Sequence, residues 1–92
     1  MIDLIKSFNI DKNKVAYRII GGESMILNLD TGDYYSLGKI ETLIWKAIDS
    51  QNSFSGLLIQ LQKSYNVSKE NLKRDISKLI RDLEQASLIK KI

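Results

Sequence analysis

Cysteine, histidine and proline are all absent from the 92-residue sequence. Without cysteine there are no disulfides, thiolate metal sites or thiol nucleophiles, and without histidine the commonest general base and metal ligand is missing. An enzyme would have to work through a carboxylate, lysine or serine, and no paired constellation of such residues is visible. No catalytic residue, metal site or cofactor is therefore expected. Long apolar runs are missing too: no stretch approaches the roughly 18 residues that span a membrane. The N-terminal MIDLIKSFNI carries Asp3 and lacks a signal peptide's apolar core and small-residue cleavage site, so the cytoplasm is the expected location. No Gly/Ser linker, low-complexity tract or internal repeat divides the chain. Residues 1–92 are expected to form one domain, with residues 1–13 a less ordered N-terminal extension.

What is present is ordinary for a soluble globular protein, 43% hydrophobic and 27% charged. A net charge of +3 is compatible with an acidic peptide or a nucleic acid as partner. From Lys14 to Leu37 the pattern has the two-residue period of strands. Val15, Tyr17 and Ile19 alternate with Ala16, Arg18 and Ile20; Gly21-Gly22 makes a turn; Met25, Leu27 and Leu29 then alternate with Ile26 and Asn28. Asp30-Thr31-Gly32 turns the chain again into a short third strand, Asp33–Leu37.

From Gly38 the period becomes helical. Ile40, Leu43, Ile44, Ala47 and Ile48 stripe a first helix that Asp49–Asn52 ends. Ser53 caps a second, with Phe54, Leu57, Leu58, Leu61 and Tyr65 on one face; Asn66-Val67 breaks it. Ser68 caps a third and longest helix with Leu72, Ile76, Leu79, Ile80, Leu83 and Ala86 on one face and Glu70 in its first turn, and Leu88-Ile89 close the core. The predicted fold is α+β: a three-stranded antiparallel β-meander followed by three helices, winged-helix-like, since one sheet face and three helix stripes must be buried together. An uncovered sheet edge in such a fold would accept another extended chain.

The second and third helices also raise a helix-turn-helix DNA-binding transcriptional regulator as the alternative, supported by Lys69, Lys73, Arg74, Lys78 and Arg81. Against it, the sheet precedes all three helices, Asp75 and Asp82 intersperse acid where phosphate contacts are wanted, and the net charge is modest.

The ordered set Met25–Leu29, Asp30-Thr31-Gly32, Tyr34-Tyr35, Leu37 and Ile44-Trp45, followed by Ala47-Ile48-Asp49, resembles the PqqD-like family, also called RiPP recognition elements. Phe54 to Leu61, Tyr65-Asn66-Val67, Leu72, Asp75-Ile76, Leu79, Leu83 and Leu88-Ile89 continue the likeness over roughly residues 15 to 90. Two positions depart from it: family members commonly have Asn where Gly38 stands and Gly where Glu41 stands. The resemblance implies a non-catalytic module that holds the leader of a ribosomally synthesised precursor peptide as an added strand on the third strand, against the third helix. The leader would be presented to separate maturation enzymes such as a leader peptidase, a cyclase or another modifying enzyme. No nucleic acid or membrane partner is expected, and the module is a monomer or a weak homodimer through the same edge. The pathway stays open; a free-standing domain fits a lasso-peptide system or a PqqD-like chaperone.

The peptide-binding residues expected on that basis are Asp33, Tyr34, Tyr35, Ser36 and Leu37 on the strand and Ile76, Leu79, Ile80 and Leu83 on the helix. Tyr35 and Leu37 share a strand face and have core packing as their plain alternative, leaving Tyr34 the better contact. Ile80 is expected at the margin of the helix stripe, partly uncovered, while Leu83 is expected inside. Arg74 and Lys78, with Arg81, either form a solvated face or meet acidic leader residues. Trp45 is expected to pack against the sheet.

Overall fold

In a computed structural model, which describes residues 3–92, the chain runs through eight elements. They are β1 (Phe8–Asn9), β2 (Val15–Ile20), β3 (Glu23–Asn28), β4 (Tyr34–Leu37), α1 (Lys39–Ser50), α2 (Phe54–Ser64), α3 (Lys69–Gln85) and β5 (Lys90–Lys91). β2, β3 and β4 form the expected antiparallel meander, and the three helices follow it. Gly21 and Gly22 join β2 to β3 with φ of +61° and +82°, the paired left-handed conformation of the two-residue turn that suits the twist of the flanking strands.

The register decides the faces of the sheet. Val15 lies opposite Asn28, and Tyr17 opposite Ile26, which in turn lies opposite Tyr35; Ser24 lies opposite Leu37. These residues face the helices. Met25 and Leu29, each about half exposed (48% and 49%), therefore point outward although their alternation is the more apolar one. Burying Ser24 and Asn28 instead is tolerable because each is satisfied. The Ser24 and Thr42 hydroxyls lie 2.8 Å apart, tying the sheet to α1. Asn28 Oδ1 accepts from Asp30 and Thr31, shaping the Asp30-Thr31-Gly32 turn, and Asn28 Nδ2 donates to the Ala86 carbonyl at the end of α3.

Both serine caps form as the sequence suggests, Ser53 Oγ accepting from Gly56 N–H and Ser68 Oγ from Asn71 N–H. The buried faces of the helices meet around Ile44, Trp45, Ile48, Leu57, Leu61, Leu72 and Ile76, with Leu88 and Ile89 closing the core. Trp45 is fully buried and meets the Tyr17 ring edge-on, centroids 5.4 Å apart, so it does pack on the sheet. Tyr17 OH donates to the Asp49 carboxylate, which also pairs with Lys12 Nζ at 3.0 Å. The Asp49 hydrogen bond, with burial and the Asp49 charge adding to it, pushes the Tyr17 phenol up to about 12.

The N-terminal segment packs in part on the core, and the first two residues lie outside those described. Ile5 and Phe8 are buried, and β1 pairs antiparallel with β5 through Phe8–Lys91 and Asn9–Lys90. The Asp3 carboxylate accepts from Ile5, Lys6 and Phe54 N–H groups, adding an anion to the start of α2. Burial alone would raise its pKa; the N–H donations from Phe54, Lys6 and Ile5 and the Lys6 charge outweigh that and hold it below the ordinary carboxylate value.

Candidate functional site

β4 pairs with β3 along one side only, and no strand among the described residues pairs with its other edge. Which backbone groups that edge offers follows from the ladder. Asn28 N–H donates to Asp33 O, so Asn28 and Asp33 are a hydrogen-bonded pair, and hydrogen-bonded pairs recur at every second position of an antiparallel ladder. Tyr35 and Leu37 therefore turn their N–H and C=O groups to β3. Tyr34 and Ser36 turn theirs to the free edge.

Beyond Leu37 the chain passes through Gly38 into α1, and there a groove of about 600 Å³ opens between the start of α1 and the middle of α3. Its apolar lining is Ile40 and Ile44 of α1, Leu79 of α3 and Tyr65 from the end of α2. The charged lining is Lys39 and Glu41 on one wall and Asp75, Lys78 and Asp82 on the other. Asp75, Lys78, Leu79 and Asp82 of α3 line the groove opposite the start of α1, and Ala86 at the end of α3 accepts from Asn28 of β3. The groove therefore opens where the chain leaves β4 for α1.

The expected residues divide among the outer sheet face, the core and the groove. Tyr34, 67% exposed, and Ser36 lie on the outer sheet face, Tyr35 is half-buried and Leu37 buried on the inner face. Asp33 belongs to the turn, where its N–H reaches Thr31 Oγ1 at 3.2 Å. Leu79 and Lys78 line the groove; Ile76 and Leu83 are core. Ile80 corrects the reading of the helix, being only 3% exposed where a partly uncovered side chain was expected. Packing turns the buried stripe toward Leu72, Ile76, Ile80 and Leu83, which leaves Leu79, half-buried, as the marginal residue. Arg74 lies off the groove with its guanidinium donating to Asn71 Oδ1.

Lys39, Ile40, Glu41, Ile44, Tyr65, Asp75 and Asp82 line the groove without being among the site residues that the sequence singles out. Ile40 carried a signal: it opens the apolar stripe of α1 one residue into the helix, where the strand it follows has already ended. The departures at Gly38 and Glu41 also meet here. A Cβ on residue 38 would stand 2.7 Å from Glu41 Oε1, so the glutamate carboxylate fills the space that a capping side chain would use. The α1 N-cap accordingly makes no side-chain hydrogen bond of its own. Among the described residues there is no cluster of three or more His, Cys, Asp or Glu able to hold a metal ion.

Three strands, with both outer edges of the sheet unpaired among the described residues, and three helices that follow them define a small α+β domain. The family described as coenzyme PQQ synthesis protein D (PqqD) matches residues 23–89, and the chain belongs to it. One similar solved structure is "TbiB1 in Complex with the TbiA(beta) Leader Peptide", with 23% identity, 89% of this chain and 94% of that one covered, and a TM-score of 0.80. Another is "Lasso peptide synthetase B1 complexed with the leader peptide", with 19% identity, 91% and 98% covered, and a TM-score of 0.81. At these identities the likeness establishes the shared fold. No curated protein matches the sequence.

Proposed function

We propose that this domain captures the leader segment of a ribosomally synthesised precursor peptide as a fourth strand on β4 and presents it, without catalysis of its own, to separate maturation enzymes. The observation that carries the reading is the open β4 edge with the α1–α3 groove at its end. Backbone pairing would use the N–H and C=O of Tyr34 and Ser36, which accept any sequence. Each such hydrogen bond is worth about 0.5–1.5 kcal/mol net, so four supply some 2–6 kcal/mol, short of the roughly 8 kcal/mol of a micromolar complex. The remainder falls to leader side chains entering the groove over Leu79, Ile40, Ile44 and Tyr65.

Family membership supports this reading, as do the two similar structures, each solved with a leader peptide bound. Those neighbours favour a lasso-type pathway, in which a leader peptidase and a cyclase would receive the bound precursor. No helix among the described residues is long and apolar enough to cross a membrane. Titrating isotope-labelled protein with a cognate precursor leader tests the proposal. Shifts should concentrate at Tyr34–Leu37, Lys39–Ile44 and Asp75–Asp82; unchanged spectra at saturating leader would refute it.

A further inference from the structure

Resting on the peptide-binding reading above, we infer that the segment seated in the groove carries a basic side chain next to its apolar anchor, received by Glu41 and Asp75. The chain as a whole is basic, with 14 Lys and Arg against 11 Asp and Glu. The groove reverses that balance: Glu41, Asp75 and Asp82 face two ammonium groups, Lys39 and Lys78. Lys78 Nζ lies 3.7 Å from Asp82, one helical turn on, and the two offset each other. The Lys39 stem runs toward the β2–β3 turn, its Cγ 3.6 Å from where a side chain at Gly22 would begin.

Two carboxylates are left, one on each wall, and neither forms an ion pair among the described residues. Glu41 is folded back over Gly38, at the point where a strand added to β4 would leave the sheet and pass along the groove. Asp75 lines the same groove from α3. An acidic side chain brought between them would meet two like charges. A lysine or arginine would meet two opposite ones while its stem covers the apolar floor. Of the cations that the sequence offers to acidic leader residues, Arg74 and Arg81 are outside the groove, and Lys78, inside it, is paired with Asp82.

The test is a displayed library of random linear peptides selected on the immobilised protein. Enriched peptides are expected to carry Lys or Arg beside an aliphatic or aromatic residue. The same peptides should bind the Glu41→Gln/Asp75→Asn variant about fivefold more weakly, mainly through slower association, with a flatter salt dependence. Both side chains are exposed, so the variant should fold as the parent does, which its melting curve will show. Enriched peptides that shift the Tyr34 and Ser36 amides but show no basic bias, or bind the variant as tightly as the parent, overturn the basic-residue assignment alone. A library yielding no peptide that shifts those amides overturns the strand-addition reading and this inference together.

Discussion

Truncating Leu79 and Ile80 separately should divide recognition from stability between two adjacent residues. Ile80 is 3% exposed and packed in the core, so Ile80→Ala removes a fully buried side chain and should cost about 2–5 kcal/mol of stability. Leu79 is half-buried and lines the groove, so Leu79→Ala loses less burial and leaves no closed cavity; about 1 kcal/mol is expected. As an anchor under the leader, Leu79 should carry about 1–3 kcal/mol of binding, a fivefold to 150-fold loss in affinity. Urea melts give the stabilities, and fluorescence anisotropy of a labelled leader, measured where each variant is folded, gives the affinities. If Leu79→Ala melts as early as Ile80→Ala, or binds leader as the parent does, the groove is misplaced.

Stability should fall as the pH rises from about 10 toward 12, because folding holds the Tyr17 phenol protonated up to about 12 while the unfolded chain releases its proton near 10. Tyr17→Phe should flatten that slope, which alkaline melts followed by circular dichroism will show. At the acid end, Asp3 contributes stability that is present above its unfolded pKa, near 3.8, and is lost as pH falls through its lower folded value; Asp3→Asn should weaken that loss in an acid titration followed by circular dichroism. Gly38→Asn and Glu41→Gly should be non-additive by about 0.5–1 kcal/mol in a double-mutant cycle, because the asparagine gains its cap only when the Glu41 carboxylate vacates the space above residue 38.

The meander and the three helices were legible because their signals are local: two-residue alternation around Gly21-Gly22, the Asp30-Thr31-Gly32 turn, serine caps and apolar stripes. What escaped depends on partners distant in sequence. β1 is two residues long and pairs with β5 at the other end of the chain, so Phe8 has no periodic neighbour to announce it. Met25 and Leu29 outrank Ser24 and Asn28 in hydropathy, yet register with Val15 and Leu37, together with the Ser24–Thr42 hydrogen bond and the Asn28 donation to the Ala86 carbonyl, puts the polar pair inside. On α3 the helical wheel does give the stripe, but its rotation against α1 and α2 decides whether Leu79 or Ile80 is marginal. The strand half of the candidate site was readable from the turn and the Tyr34-Tyr35 pair. The groove half, built by Ile40, Glu41, Tyr65 and Asp75, exists only once α1 and α3 are packed.

Amide hydrogen exchange of the β4 residues, with and without the leader, bears most directly on strand addition. Tyr35 and Leu37 donate to β3 and should be protected in both states, whereas Tyr34 and Ser36 face the open edge and should exchange quickly until the leader binds. Protection gained at Tyr34 and Ser36 alone, alternating along the strand, is the expected result. Leader binding at saturation that leaves those two amides exchanging as fast as in the free protein would contradict it.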